Sequence, residues 1–331
     1  MAKKNVLFIG GSVNQTSMGH AVAKSLEEGD DCDCYFTPYY CDGPLKVMAR
    51  AGWLDFTVVG GRFRAQTEAY LRENGLKANY GGQQRDYDLV VTCSDLLIQK
   101  NIRDKKIVLI QEGMTDPENF MFPLVKRFGL PRWLTGNTCA NGLSDAYQVF
   151  CVASEGYRDL FIQKGVKPEK IVVTGIPNFD NVAQFLSNDF PFKNYVLVAT
   201  SDVRETKRFD NREEFIRRCL EIADGRPIVF KLHPNEEKEE ATREIKALAP
   251  HALVFPDGNT GHMIANCDAL ITQYSSVVYI GLALGKEVHS YFDVEKLKRL
   301  TPLQNGGTSG RNIAEVCRGL LEGRFSYANS A

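Results

Sequence analysis

Two stretches in the second half of the chain decide the fold: residues 228–236 read IVFKLHPNE, and residues 268–276 read DALITQYSS. In each, an apolar run typical of a buried parallel strand is followed by a short motif, His233-Pro234 in the first and Ser275-Ser276 in the second. Open α/β sheets bind ligands outside the carboxyl ends of their strands. The start of the helix that follows Ser276 offers free backbone N–H groups to a phosphate. The pair therefore indicates a phosphate-bearing, nucleotide-activated ligand.

The same alternation of short apolar runs and helix-like segments extends over the whole chain. Strands are expected at residues 5–9, 34–37, 89–92, 107–111, 149–153, 171–174, 195–199, 227–231, 252–255, 269–272 and 287–291. Helices are expected at residues 19–28, 61–74, 155–164, 212–223, 237–248, 277–284 and 312–323. This βαβ rhythm predicts an α/β protein with doubly wound sheets. A turn-rich pause at 188–192 predicts two domains, 1–185 and 186–331. The Pro- and Gly-rich stretch 120–143 predicts a long loop or an interrupted helix.

Composition excludes several classes of protein. The 331 residues are 44% hydrophobic and 24% charged with a net charge of -1, so nothing favours nucleic acid as a partner. The acidic cluster 235–240 is expected on a solvated helix start. No apolar run is long enough to span a membrane, and the run at 6–9 is too short for a signal peptide. Peripheral membrane contact stays open.

Nine scattered cysteines, an odd number with several in strand-like runs, predict reduced core thiols and a cytoplasmic protein. Cys32, Cys34 and Cys41 have no second ligand pair at matching spacing, which argues against zinc. No strand-end D-x-D is present, so the sequence predicts neither a divalent-metal site nor any other cofactor.

The candidate acceptor side lies in the first half. Gly10, Gly11 and Ser12 follow the first strand, but their spacing does not match G-x-G-x-x-G, which argues against a nicotinamide cofactor. They indicate either a close approach of backbone to a ligand or only a tight strand–helix turn. Glu112 follows an apolar strand, and Gly113 permits a sharp turn. Glu112 is a candidate general base, the alternative being a solvated loop residue.

The candidate donor side lies in the second half. Thr200 and Ser201 end a strand and could hold a phosphate or a base, or form an ordinary turn. His233, whose turn is fixed by Pro234, is expected to face the ligand. The remaining candidate residues for nucleotide or phosphate binding are Lys231, Tyr274, Ser275 and Ser276. Arg204, Lys207 and Arg208 either supply positive charge or form a solvated face.

Three families resemble residues 111–321. The segment 149–180 resembles non-hydrolysing UDP-N-acetylglucosamine 2-epimerases through GV-x-x-x-K-I-x-V-T-G-x-P and the later His-Pro-Asn. It differs from them in having Ser275-Ser276 where they have Ser-Gly-Gly, and in lacking their His before Glu-Ala-Gly. The segment 268–286 resembles CDP-glycerol glycerophosphotransferases, which carry Thr-Asp-Tyr-Ser-Ser after a His-Pro. Gln273 replaces their aspartate, and Glu112-Gly113 stands where they have a catalytic His-Gly.

The third resemblance is to bacterial sialyltransferases and Kdo transferases. Glu112-Gly113, His233-Pro234 and Ser275-Ser276 match their acidic-Gly, His-Pro and Ser-Ser in order, although Gln111 stands at a position that is often acidic in them. The resemblance implies that Glu112 deprotonates the acceptor hydroxyl. It also implies that His233 contacts the donor phosphate or assists its departure, and that the two serines bind that phosphate.

Together these resemblances imply a GT-B fold, with two Rossmann-like domains facing a cleft. They imply a metal-independent, inverting glycosyltransferase that joins a nucleotide-activated sugar to a hydroxyl-bearing acceptor, in surface polysaccharide or glycoconjugate synthesis. Three alternatives stay open: a CDP-glycerol-type glycerophosphotransferase, an enzyme like the 2-epimerases, and a non-catalytic sugar-nucleotide-binding protein.

Overall fold

The computed structural model describes residues 3–55, 57–201 and 211–324. Its strands are short and rich in apolar residues. They are β1 (Lys4–Gly10), β2 (Cys32–Pro38), β3 (Leu89–Thr92), β4 (Lys106–Ile110), β5 (Val149–Val152), β6 (Ile171–Val173), β7 (Val196–Ala199), β8 (Ile228–Lys231), β9 (Leu253–Phe255), β10 (Ala269–Thr272) and β11 (Glu287–His289).

Helices separate most of these strands. They are α1 (Val13–Glu27), α2 (Gly43–Arg50), α3 (Gly61–Glu73), α4 (Met121–Phe128), α5 (Glu155–Lys164), α6 (Arg212–Ala223), α7 (Lys238–Leu248), α8 (Thr260–Asn266), α9 (Val278–Ala283), α10 (Val294–Leu300) and α11 (Ser309–Leu321). The α/β alternation expected from the sequence is confirmed. The stretch 120–143 is an interrupted helix, because α4 is followed there by two short 3₁₀ turns.

The chain forms two compact units. Unit 1 contains the described residues up to Asp180 and from Gly307 onward, and unit 2 is Asn181–Gly306. The first crossing is close to the expected boundary at residue 185. The last helix, however, belongs to unit 1 rather than to a domain 186–331, because α11 packs on α1. At Gly310 an added Cβ would lie 3.1 Å from the backbone of Ala21, which shows how closely the two helices approach.

Unit 1 contains a six-stranded parallel sheet in the order β2-β1-β3-β4-β5-β6. The chain runs first to one side of β1 and then to the other, so the topological switch point lies between β1 and β3. Nearly every residue of β3, β4 and β5 is buried, as expected for strands covered on both faces. Helix α1 begins at Val13, not at residue 19 as expected, because the Ser12 hydroxyl caps it by accepting from the Gln15 N–H.

Unit 2 contains a five-stranded parallel sheet in the order β11-β10-β7-β8-β9. Its switch point lies between β7 and β10. These two strands pair in parallel, with Val196 opposite Ala269 at one end and Ala199 opposite Thr272 at the other. Helices α6 and α7 cover one face, where Phe215, Ile245 and Phe230 belong to one buried cluster. The sheets of the two units are therefore both Rossmann-like, as the sequence predicts.

Candidate functional site

The carboxyl ends of β7 and β10 carry two buried hydroxyl groups at the switch point of unit 2. Ser201 follows β7, and Thr272 is the last residue of β10. Among the described residues, neither Ser201 Oγ nor Thr272 Oγ1 has a hydrogen-bond partner. Most buried polar atoms are paired within the protein. Two unpaired hydroxyls at the ligand-binding edge of a parallel sheet therefore indicate a place that a ligand completes.

A buried carboxylate organises the same edge. Glu236 Oε1 lies 2.7 Å from the Arg212 guanidinium. Its Oε2 accepts from the backbone N–H of His233 at 2.6 Å and from the Thr200 hydroxyl. The His233 N–H also lies 3.0 Å from Thr200 Oγ1. One carboxylate thus joins the end of β7, the His-Pro turn after β8 and the first residue of α6.

Sequence reasoning missed Glu236 and Arg212. The expectation that cluster 235–240 is solvated is wrong at Glu236, whose side chain is 1% exposed, since the chain turns inward there before α7 begins at Lys238. The Thr200 hydroxyl, a candidate phosphate ligand, donates to Glu236. The spacing from His233 to Glu236 could have indicated the turn that brings Glu236 inside. Glu236 is the fourth residue of a tight turn in which its N–H donates to the His233 carbonyl at 3.1 Å.

His233 is half-buried on this turn, and Pro234 beside it is exposed. The His233 ring Nδ1 accepts from the backbone N–H of Asn235 at 3.3 Å. A neutral imidazole with an accepting Nδ1 carries its proton on Nε2. The turn therefore leaves His233 Nε2 as a hydrogen-bond donor, the character that a phosphate oxygen requires.

The Lys231 ammonium has partners other than the expected phosphate. Its Nζ donates to the carbonyl oxygens of Leu232 at 2.7 Å and Pro256 at 3.4 Å. Burial lowers the pKa of the Lys231 ammonium below its ordinary value. Phosphate binding by Lys231 would require these bonds to open. Arg204, Lys207 and Arg208 lie outside the described residues.

Tyr274, Ser275 and Ser276 follow β10 as the sequence predicts. The carbonyls of Ser275 and Ser276 accept from the N–H groups of Val278 and Tyr279, so a helical turn begins at the serines, although α9 itself has only six residues. Tyr274 is 45% exposed. Its ring contacts Tyr291 and Phe292 edge-on, with centroid distances of 5.3 Å to each, and this places an aromatic surface beside the two serines.

In unit 1, Glu112 stands two residues beyond β4, next to the N-terminus of α1. Its carboxylate accepts from the Gln15 side-chain amide at 2.8 Å, and its carbonyl lies 3.5 Å from the Asn14 amide nitrogen. Burial raises the pKa of the Glu112 carboxyl above its ordinary value, and the Asp116 carboxylate adds to this, while hydrogen bonds from polar groups of α1 and its cap lower it. A carboxylate with a raised pKa is a stronger base.

Gln111 fixes the turn that presents Glu112. Its side-chain oxygen accepts from the Ala153 N–H at 2.9 Å, and its side-chain nitrogen donates to the Gly113 carbonyl at 2.7 Å. An ionised acid at this position could accept the first bond but could not donate the second. Gln111 therefore suits the local geometry where an acidic residue would not.

The glycines of the candidate acceptor side differ in how much space a larger side chain would have. A Cβ on Gly10 would lie 2.4 Å from Thr16 Oγ1 and 3.2 Å from Thr16 Cα, and one on Gly11 would lie 2.7 Å from Val58 Cβ. Close packing of the turn thus accounts for Gly10 and Gly11. At Gly113 the nearest atom, in Phe179, would be 3.6 Å away, which is ordinary contact.

Two other side chains that could act as a base in unit 1, Asp116 and His20, are hydrogen-bonded to other residues. The Asp116 carboxylate accepts from the N–H and the hydroxyl of Thr138 at 3.0 and 2.8 Å. The His20 ring nitrogen Nδ1 lies 3.1 Å from the Tyr70 hydroxyl. Glu112 is therefore the better placed base of the three.

In residues 3–55, 57–201 and 211–324, no three His, Cys, Asp or Glu side chains form a group that could hold a metal ion. None of the helices described there has the length and hydropathy needed to cross a membrane. All nine cysteines are buried free thiols, as expected.

Comparison with known proteins gives similarity of structure only. No family model matches the chain, and no curated protein matches its sequence. The UDP-GlcNAc 2-epimerase from Neisseria meningitidis, bound to UDP-GlcNAc, is 12% identical, with a TM-score of 0.58 over 95% of this chain and 99% of that one. The enzyme of that name from Methanocaldococcus jannaschii, in complex with UDP-GlcNAc and UDP, is 13% identical, with a TM-score of 0.55 over 96% and 100%.

The wall teichoic acid polymerase TagF, in a structure soaked with CDPG, is 12% identical, with a TM-score of 0.51 over 98% of this chain and 90% of that one. The chain shares their fold. Two of the resemblances inferred from short motifs, to 2-epimerases and to CDP-glycerol enzymes, are thus confirmed as resemblances, and so is the GT-B class of two Rossmann-like domains.

Proposed function

We propose that this chain is a metal-independent, inverting glycosyltransferase that uses a nucleotide-activated sugar. Unit 2 binds the donor, and unit 1 binds a hydroxyl-bearing acceptor and supplies the base. The observation that carries the proposal is Glu112, a carboxyl with a raised pKa held by the Gln15 amide at the carboxyl edge of a parallel sheet. Surface-polysaccharide or glycoconjugate synthesis is the proposed setting.

The donor site is proposed at the switch point of unit 2. The unpaired hydroxyls of Ser201 and Thr272 supply hydrogen bonds, and His233 Nε2 donates to a phosphate oxygen. Ser275 and Ser276 add polar groups beside them, and the exposed Tyr274 ring offers a face for stacking. Glu236 does not touch the donor; it holds the His-Pro turn in place.

The proposed step is a single displacement. Glu112 accepts the proton of the acceptor hydroxyl while that oxygen bonds the anomeric carbon. The bond from the anomeric carbon to the phosphate oxygen breaks, and the nucleotide leaves with the electron pair. Hydrogen-bond donors, His233 and the hydroxyls at the strand ends, stabilise its charge. No metal is required for any of these roles.

The test is turnover of a panel of UDP-, CMP-, CDP- and GDP-activated donors by the full chain, with and without a hydroxyl acceptor. Transfer requires the acceptor, and we expect donor consumption only when it is present. Epimerisation of UDP-N-acetylglucosamine without acceptor would replace the proposal by the 2-epimerase alternative. Transfer of glycerol phosphate from CDP-glycerol would replace it by the glycerophosphotransferase. Binding with no turnover of any donor would leave a binding protein.

The role of Glu112 is tested by Glu112→Gln, which keeps the shape but cannot accept a proton. A positioned base contributes about a hundredfold to ten-thousandfold in rate, so we expect a loss in that range with donor affinity unchanged. The matched control is Glu118→Gln, an exposed carboxyl in the same loop, which should retain full turnover. Normal turnover of Glu112→Gln under chemistry-limited conditions would remove Glu112 from the mechanism.

A further inference from the structure

Helix α4 carries an apolar face that the core does not use. Phe120, Leu124 and Phe128 are spaced by four residues, so they lie along one side of the helix. Their exposed fractions are 82%, 41% and 64%. We call these three residues the apolar stripe. Exposed apolar side chains are ordinary when scattered singly, but a contiguous row of them indicates an interaction surface.

A different face of α4 packs against the core of unit 1. Phe122 and Val125 are buried, and Phe122 packs with Cys139 and Ala140 in one apolar cluster. A helix on the surface of a soluble domain needs only that one face to be apolar. The apolar stripe is therefore not explained by the packing of unit 1.

The chain continues the exposed surface beyond α4. Leu130 and Trp133 are 37% and 41% exposed. Basic residues are interspersed, since Lys126 and Arg127 lie within α4 and Arg132 follows it. The Arg127 guanidinium lies 5.9 Å from the Phe128 ring centroid, at the border of the apolar stripe.

A hollow of about 710 Å³ adjoins this segment, with Pro131, Arg132 and Trp133 in its wall. Its charged walls come mainly from the amino ends of β4 and β6, the opposite edge of the sheet from Glu112. The basic residues lining it are Arg103, Lys105, Arg132, Lys167 and Lys170, against the acids Asp104 and Asp145. We call it the basic hollow. Asp145 pairs with both Lys167 and Lys170, and Lys105 pairs with both Asp104 and Asp86, so the excess of positive charge comes from Arg103 and Arg132.

We propose that the apolar stripe and the basic hollow together form a docking surface for an anionic lipid bilayer. Aromatic and aliphatic side chains of α4 enter the boundary between headgroups and acyl chains, as in interfacial amphipathic helices. Trp133 sits at headgroup depth, and the cations of the basic hollow hold the anionic headgroups. The inference goes beyond the proposed transfer reaction and does not depend on it.

The local charge favours an anionic lipid bilayer over a second copy of the chain as the partner of this surface. The net charge of the whole protein is only -1, whereas the lining of the basic hollow carries a local excess of cations. A lipid surface is both apolar and anionic, and so matches the two parts of the surface at once. A soluble anion would match only the basic hollow.

The experiment measures binding of the full chain to vesicles of phosphatidylcholine alone and of phosphatidylcholine with phosphatidylglycerol. We expect binding only to the anionic vesicles, weakening as salt is raised. Phe120→Ser/Leu124→Ser/Phe128→Ser should lower the partition coefficient about a hundredfold. Arg103→Gln/Arg127→Gln should lower it about fivefold for each charge removed. The control Val47→Ser/Leu186→Ser/Leu253→Ser removes exposed apolar side chains elsewhere and should bind like the wild type.

Tryptophan fluorescence locates the contact, since the chain has only Trp53 and Trp133. In Trp53→Phe, vesicles should shift the emission of Trp133 to shorter wavelength, and in Trp133→Phe that of Trp53 should not move. Circular dichroism melting verifies that each variant is folded. The proposal is overturned by absence of wild-type binding, by unchanged binding of the folded stripe variant, or by a shift at Trp53 alone. Binding of glycerol phosphate without any vesicle binding would assign a soluble anion, and dimerisation abolished by the stripe variant would assign a second copy.

Discussion

Glu112 in unit 1 and Glu236 in unit 2 both lie just beyond a buried parallel strand, yet their surroundings differ. Glu236 is held by the Arg212 cation, a hydroxyl and a backbone N–H, and its side chain is 1% exposed. Glu112 is held by the neutral Gln15 amide, and burial raises its pKa. A carboxylate saturated by strong donors stabilises structure, whereas one with neutral partners keeps the capacity to take a proton.

The largest expected effect tests the structural half of this comparison. Glu236→Ala removes the carboxylate that lies 2.7 Å from the buried Arg212 guanidinium and leaves only Glu244 at 3.9 Å, and breaking such a buried pair costs about 3–5 kcal/mol. We expect a loss of this size in the free energy of unfolding, measured by urea denaturation. The control is Glu213→Ala, which removes an exposed pair with Arg217 and should cost less than about 1 kcal/mol. A cost for Glu236→Ala no greater than the control would show that the network is dispensable.

A smaller effect separates the glycines around Glu112. Gly10→Ala drives a Cβ into Thr16 and should destabilise the protein by about 1–3 kcal/mol. Gly113→Ala meets nothing closer than 3.6 Å and should leave the melting temperature unchanged. Thermal melts of the two variants measure this difference in melting temperature. Equal destabilisation by both would mean that the Glu112 turn is packed as tightly as the first turn of unit 1.

The smallest effect is the response of stability to pH when Glu112 is replaced. A raised folded-state pKa favours the folded state below the ordinary Glu pKa of 4.5, and this advantage is lost as pH rises through the folded value. Glu112→Gln should therefore be as stable as the wild type or more stable at neutral pH, with the difference falling as the pH drops through the raised folded-state pKa toward 4.5 and staying constant below it. Urea denaturation across that range measures it. A variant that is less stable at neutral pH would place Glu112 with Glu236 as a structural acid.

The sequence predicted most of the fold but less of the site. All eleven expected strands are found among the described residues, within two residues at each end, because uninterrupted apolar runs are characteristic of strands buried on both faces. Helices α2, α8 and α10 were not expected, and α4 was expected only as part of a long loop or an interrupted helix. These four helices have only seven or eight residues each, which is shorter than the window of about 11–18 residues over which the helical period can be recognised.

The site required three-dimensional information for a different reason. Glu236 could not be distinguished from its acidic neighbours by residue type, since only the turn after β8 and the position of Arg212 bring its carboxylate inside. The same holds for Gln111, which the sequence could describe only as a departure from an acidic position. Pairing across strands, which the sequence does not state, gives that amide its two partners on either side.

The position of α11 has a consequence for how the protein is made. Unit 2 interrupts unit 1 in the chain, and α11 returns to pack on α1, with Arg318 donating to the Ser25 carbonyl at 2.6 Å and Lys106 to the Leu320 carbonyl at 2.8 Å. During synthesis, unit 2 can complete its fold while the Rossmann-like sheet before it still lacks one of its covering helices. The half that carries Glu112 is therefore finished last, although it is translated first.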